Sequence, residues 1–208
     1  MTLSELKTTL LSRLSAGSDS SYYDSTSLVD IIKGGQIQLA NFKPWSCLMI
    51  GAKRAGGTVK DQNNYGVPVD YLMGASLWLE IDDKDYEYVS FQLFKDNSLD
   101  LENRFTFLGT ELLITPTPTE NGLVIEYWYV KTPKVLSVDD DVSDFPDIFK
   151  ETLITFCLSI AKGREGDKSG MISYLQIAEK LARNIWRTSS KKAIKAGKIS
   201  DIADFGTK

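Results

Sequence analysis

Histidine is missing from all 208 residues of the chain. Its absence removes Ser-His-Asp and Cys-His catalysis, in which an imidazole carries the proton, and it removes His-ligated zinc. Cysteine is almost missing too. Cys47 and Cys157 each sit in an apolar context, Trp-Ser-Cys-Leu-Met and Thr-Phe-Cys-Leu-Ser. They read as two buried, reduced thiols of a protein folded in a reducing compartment. A basic excess is lacking: 24 Lys and Arg stand against 28 Asp and Glu, a formal net charge of -4. That balance is not the footprint of a general duplex-binding protein. No apolar run approaches the ~20 residues that span a bilayer. The start, Met-Thr-Leu-Ser-Glu-Leu-Lys, has an early acidic residue and no apolar h-region, so no signal peptide is expected. The expectation is a soluble protein, made inside the cell and not associated with a membrane.

What is present is ordinary globular composition, 42% hydrophobic and 25% charged, with enough chain to build a core without disulfide or metal staples. Periodicity divides it into helices, then strands, then helices. Thr2-Leu3-Ser4-Glu5 is a capping box, followed at helical spacing by Leu6, Leu10 and Leu14; this helix should end near Ala16-Gly17. A serine-rich loop over Gly17 to Ser21 follows. Ser27 with Asp30 repeats the capping pattern ahead of Leu28, Ile31 and Ile32, and Gly34-Gly35 should stop or break that second helix. Trp45, Cys47, Leu48 and Met49 suggest a short buried segment behind Pro44.

Residues 51–67 are polar and glycine-bearing, a loop or hairpin. From about Pro68 the period becomes two. Five strands are expected, around Leu77–Ile81, Tyr88–Leu93, Phe105–Phe107, Leu112–Ile114 and Val124–Val130. Turn signals fall at Asp82-Asp83, Lys95-Asp96-Asn97, Leu108-Gly109 and Asn121-Gly122. The short connections suit antiparallel neighbours. Helical pattern returns at Pro146 and marks one face with Phe149, Leu153, Phe156, Cys157 and Ile160. It breaks over Gly163 to Gly170, then resumes with Met171, Tyr174, Leu175, Ala178, Leu181, Ala182 and Ile185. Lys180, Arg183 and Arg187 lie elsewhere on that last helix. The fold class expected is α+β: a helical bundle of N- and C-terminal helices with an inserted antiparallel β section of about five strands and an extended C-terminal arm. The corresponding bounds are 1–50 for the first helices, 51–135 for the β insertion, 136–190 for the later helices and 191–208 for the arm.

Candidate chemistry is thin. Gly51-Ala-Lys-Arg-Ala-Gly56-Gly57-Thr58 approaches a phosphate loop, but Gly57 stands where the lysine belongs, and no convincing strand and helix flank it. Asp139, Asp140, Asp141 and Asp144 are the densest carboxylates, without the glycine and distal glutamate of an EF-hand loop; a solvated linker that favours the next helix start is the plainer reading. Glu80, Asp82, Asp83, Asp85 and Glu87 offer acid-base pairs, yet they fall at a hairpin turn, where solvation explains them. No metal and no cofactor is expected. Trp78, Tyr86, Tyr88, Tyr127, Trp128 and Tyr129 could stack on bases or sugars; within an acidic chain they read better as core or subunit interface. The tail Lys191 to Lys208 carries Lys191, Lys192, Lys195 and Lys198 interleaved with Ile194, Ile199, Ile202 and Phe205. It has no core pattern of its own, and basic residues mixed with aliphatic ones suit docking on a protein partner, with ordering on assembly.

The order of several short motifs resembles the head-to-tail adaptor proteins of tailed bacteriophages. Tyr22-Tyr23-Asp24, Gln36-Ile-Gln-Leu39 and Phe42-Lys-Pro44-Trp45 are similar to that family's front. Asp61-Gln-Asn-Asn-Tyr65-Gly-Val-Pro68-Val-Asp70 is similar to its entry to the sheet. Thr115-Pro116-Thr117-Pro118, then Glu126-Tyr127-Trp128-Tyr129, resemble its strand, Pro-x-Pro turn and next strand. Lys134 to Asp141, then Asp144-Phe-Pro146-Asp-Ile-Phe149, resemble the lead into its penultimate helix. The likeness covers most of residues 22–186. It implies a non-enzymatic structural protein of the virion neck, made in the host cytoplasm. Such a protein forms a homo-oligomeric ring, usually of twelve copies, beneath the portal. The ring extends the channel for passing genomic DNA and docks the next neck or tail protein. The C-terminal segment would reach the portal, which makes Trp186, Lys191, Lys192, Ile194, Lys195, Lys198, Ile199, Ile202 and Phe205 the expected contact residues. Two other readings are a nucleic-acid-binding module using the basic tail and, with less behind it, a carboxylate enzyme built on Asp139 to Asp141.

Overall fold

The computed structural model describes residues 1–15, 23–72, 77–95 and 103–195, with side chains to residue 188. The serine-rich loop, Tyr22, the turn at Asp96-Asn97 and the tail from residue 196 lie outside the described residues. The chain forms two units, one of residues 1–43 with 133–208, the other of residues 44–132.

The first unit is helical. Helix α1 (Leu3–Ser15) starts at the expected capping box: the Thr2 amide donates to Glu5 Oε2 at 2.9 Å and the Glu5 amide to Thr2 Oγ1 at 3.2 Å. Leu3, Leu6 and Leu10 bury one face completely. Helix α2 (Ser25–Phe42) is capped by Asp24, whose side chain accepts from the Ser27 amide; Ser27 is inside the helix, not its cap. The glycine pair does not stop α2, which continues through Gly34 and Gly35 for two further turns. The reason is packing. A Cβ on Gly34 would meet Ile160 Cδ1 at 2.9 Å, and one on Gly35 would meet Cys157 Sγ at 2.6 Å. Glycine here leaves room for the Ile160 and Cys157 side chains against α2 rather than ending the helix.

A 3-10 turn (Asp147–Phe149) follows Pro146 and leads into α4 (Lys150–Arg164). Leu153, Ile154, Phe156, Cys157 and Ala161 on α4 are buried. Desolvation pushes the Cys157 thiol well above its ordinary range, so it is an inert core group. Gly166, at φ 80°, turns the chain into α5 (Lys168–Lys195). The break is shorter than expected, and the helix continues past residue 190. Residues 191–195, expected as extended arm, are helical backbone.

The carboxylate cluster turns out to be a helix anchor. The backbone carbonyls of Asp141 and Asp139 accept the otherwise orphaned amides of Leu3 and Ser4 at the start of α1. Lys7 reaches Asp139 at 2.8 Å. The Asp141 carboxylate accepts from Lys134 Nζ at 2.6 Å, from the Ser137 and Val138 amides at 2.8 and 3.0 Å, and from Ser137 Oγ at 3.1 Å. These donors, Lys134 first, hold its carboxyl far below the usual carboxylate range of 3.8. A depressed native pKa gives a contribution that is complete above about pH 4 and is lost as pH falls through the folded value. Asp141→Asn should therefore lower stability at neutral pH and flatten the acid limb of the curve below about pH 4. Denaturant melts of both proteins at a series of pH values test this; parallel acid limbs would show that Asp141 is not the group being titrated.

The second unit holds a seven-stranded sheet in the order β1-β7-β3-β4-β5-β6-β2. The strands are β1 (Met49–Lys53), β2 (Asn64–Gly66), β3 (Leu77–Ile81), β4 (Lys84–Tyr88), β5 (Arg104–Leu108), β6 (Glu111–Thr115) and β7 (Ile125–Val130). All pairs are antiparallel except β4 with β5, which is parallel. The expected fold class is thus corrected. Among the described residues the sheet is mixed and has seven strands, not five antiparallel ones, and the five helices do not reduce to a bundle carrying a small insertion. The parallel pair exists because a long connection containing helix α3 (Phe91–Lys95) separates β4 from β5, as a parallel crossover requires.

The alternation over Tyr88–Leu93 is not a strand. The Phe94 amide bonds the Ser90 carbonyl at 2.8 Å, and the Leu93 amide approaches Ser90 Oγ at 3.4 Å, so Ser90 opens α3 instead. Three strands were not among the five expected: β1, which runs into the stretch expected as a loop or hairpin, the short β2 inside that stretch, and the polar β4. The β3–β4 turn is as signalled, with Asp82 and Asp83 at φ 52° and 58°. Left-handed conformations at both central residues are those of a type I′ hairpin. One face of the sheet forms the core from Leu79, Ile81, Phe105, Leu112, Ile114, Ile125, Tyr127 and Tyr129.

Candidate assembly surfaces

The expected contact residues divide three ways. Trp186 lies half-buried on α5, with Lys43 Nζ 5.8 Å from its ring centroid. One turn earlier, the Arg183 guanidinium lies over the Phe42 ring at 5.9 Å and pairs with Glu179 at 2.9 Å. Trp186 thus belongs partly to the packing of α5 on the end of α2. Lys191, Lys192, Ile194 and Lys195 occupy the last helical turns of α5. Lys198, Ile199, Ile202 and Phe205 lie outside the described residues.

Helical spacing brings one feature together that the motifs alone did not. Lys180, Arg183 and Arg187 are exposed and follow each other at i, i+3 and i+7, which places them in a single row along α5. Positions 191 and 195 continue the same spacing. Exposed Ile177 lies one turn before Lys180. The spacing was readable in the sequence, because all three residues fall on the last helix as expected; only positions 191 and 195 need the helix to run past residue 190.

On the sheet, the register assembles residues that are far apart in the chain. Gly51 pairs with Trp128, and Trp128 with Trp78. One step along, Lys53 pairs with Glu126, Glu126 with Glu80, and Glu80 with Asp85. Side chains alternate between faces, and Tyr127, Tyr129 and Leu79 fill the core. Trp78, Trp128, Glu80 and Glu126 therefore occupy the opposite, outer face. Trp128 is 49% exposed. Its ring covers Gly51, where a Cβ would meet three ring atoms at 3.1 to 3.2 Å. Glu126 forms an ion pair with Lys53. The aromatic residues therefore divide between core and surface: Tyr127 and Tyr129 inside, the two tryptophans outside.

Among the described residues no group of three or more Cys, Asp or Glu is arranged to hold a metal ion, and no helix is long and apolar enough to cross a membrane. The phosphate-loop look-alike is a strand and its following turn, with Gly57 packed under the Leu123 carbonyl. Asp139, Asp141 and Asp144 are engaged in the hydrogen bonds that anchor residues 134–138 and α1. No curated protein matches the chain. The family model of the SU10 adaptor protein matches residues 1–196. The match spans both units, the helix row and the sheet face, and the chain therefore belongs to this family of phage head-to-tail adaptors, structural proteins of the virion.

Proposed function

We propose that the chain is a non-catalytic neck adaptor that assembles as a ring beneath the portal, prolongs the DNA channel and presents a docking surface to the next neck or tail protein. The observation that carries this is the adaptor-family match over residues 1–196. The portal contact is assigned to the segment from Trp186 to Lys208. It is supported by the composition of that segment, in which lysines provide orientation and encounter while Ile194, Ile199, Ile202 and Phe205 provide apolar area to bury. A modestly acidic chain also suits a channel wall that must release DNA, because like charge disfavours adhesion to phosphate.

Truncation after Arg187 tests the assignment. The packing residues Ala178 and Ala182 remain, so the thermal melt should change little. Recruitment to purified portal should fall by about a hundredfold, the loss expected when two anchoring side chains worth ~1.4 kcal/mol each are removed. Recruitment of the truncated chain with undiminished affinity would show that the portal contact lies elsewhere.

A further inference from the structure

The chain carries two charged surfaces of opposite sign. One is the outer sheet face, where the row Glu126, Glu80, Asp85 crosses three adjacent strands beside Trp128 and Trp78. Glu80 and Asp85 have no ion pair among the described residues; only Glu126 is matched, by Lys53. Like charges directly opposite one another across strands destabilise a sheet, and Lys53 at the β1 end of the row offsets only part of this through its ion pair with Glu126. The other surface is the exposed row Lys180, Arg183, Arg187 on α5, with Ile177 beside it.

The two rows are commensurate. Three adjacent strands place three carboxylates over about 10 Å, at ~4.8 Å per strand. Seven helical residues place the three cations over about 10.5 Å, at 1.5 Å per residue. Beside the carboxylates stands an exposed tryptophan, the residue type most often found as an anchor at the centre of protein contacts. Beside the cations stands an exposed isoleucine.

We infer that the α5 row of one copy docks on the Glu126–Glu80–Asp85 and Trp128–Trp78 face of a second copy of the same chain. The two patches are different, so the contact is heterologous, and a heterologous contact repeated from copy to copy closes into a ring when its rotation allows. This deepens the ring-forming reading above and rests on it; of the segment from Trp186 to Lys208 assigned to the portal it uses only Arg187.

The test uses the full chain and follows association against concentration by sedimentation velocity. Glu80→Lys with Asp85→Lys reverses one face. Lys180→Glu with Arg187→Glu reverses the other and leaves Arg183 in its contacts with Glu179 and Phe42. Each double variant alone should associate at least about tenfold more weakly than wild type. A one-to-one mixture of the two should regain wild-type association, because each reversed face then meets its complement. The gentler Glu80→Gln with Asp85→Asn removes the like-charge repulsion, so it should raise the melting temperature while weakening association, a split that a purely structural role would not produce. Wild-type association by both reversed variants overturns the inference, as does a mixture no better than its parts. A wild-type chain that stays monomeric at every concentration reached, yet still binds portal, overturns it and leaves the portal contact standing. Loss of duplex DNA retention by Lys180→Glu with Arg187→Glu, with association unchanged, would assign the row to phosphates instead.

Discussion

Gly35→Leu should destabilise the chain by about 3 kcal/mol, at the upper end of what overpacking a closed core costs. Gly35 lies in the middle of α2, where alanine would normally be favoured over glycine by ~1 kcal/mol. Here the space beside it is already filled. A Cβ would sit 2.6 Å from Cys157 Sγ and 3.4 Å from both the Cys157 amide nitrogen and Leu153 Cδ1. The thiol could rotate, but the α4 backbone cannot yield without moving the whole helix. Gly35→Ala is therefore expected to destabilise despite its better helix propensity. Gly35→Ala combined with Cys157→Ala should recover part of that loss, giving a favourable coupling of about 1 kcal/mol in the double-mutant cycle. Denaturant melts of the four proteins decide it. A Gly35→Ala chain more stable than wild type would mean that α2 and α4 have room between them.

Tyr65→Ala should cost more still, about 4 kcal/mol, within the range for emptying a buried aromatic site. Tyr65 stands in the short strand β2, paired with Leu112 on β6, and its ring is 2% exposed. Its hydroxyl donates to the Gln62 carbonyl at 2.9 Å and accepts from the Val59 amide at 3.2 Å. The Arg54 guanidinium lies 5.1 Å from the ring centroid. One side chain thus holds both ends of the β1–β2 connection. That connection is tied on its other side by the Thr58 amide to Leu123, the Lys60 amide to Asn121 and the Asp61 amide to Pro118. Tyr65→Phe keeps the packing and loses the hydroxyl's bonds, about 1 kcal/mol. Hydrogen exchange should show residues 54–63 losing protection in Tyr65→Phe before the sheet does. Uniform loss across the unit would mean that the hydroxyl does not act on the connection specifically.

The parts of this fold that were legible in the sequence are those whose cause is local. The capping box at Thr2 and Glu5, the Asp82-Asp83 turn, and strands β3, β5, β6 and β7 each follow from residues within a few positions of one another. The parts misread have causes that lie far along the chain. Gly34 and Gly35 look like a helix stop until Ile160 and Cys157 are placed against them. Strand β1 looks like a loop because its Gly51 has no side chain of its own; the Trp128 ring supplies the cover. Strand β4 is polar, and its alternation was outbid by the apolar residues of Val89 to Leu93, which Ser90 opens into a helix. The same division applies to the assembly surfaces. The basic row on α5 is a spacing within one helix. The carboxylate row is a register among three strands, and no single stretch of sequence contains it.

Leu48 and Lys131 are hydrogen-bonded at 2.9 Å, and Met49 pairs with Val130, so residues 44–132 begin and end side by side, just inside Pro44 and Pro133. A segment whose two ends coincide is a cassette. It can be gained, lost or replaced by one recombination event without lengthening any other part of the chain. A chain that kept the helices could thus accept a different insert at the same two adjacent ends.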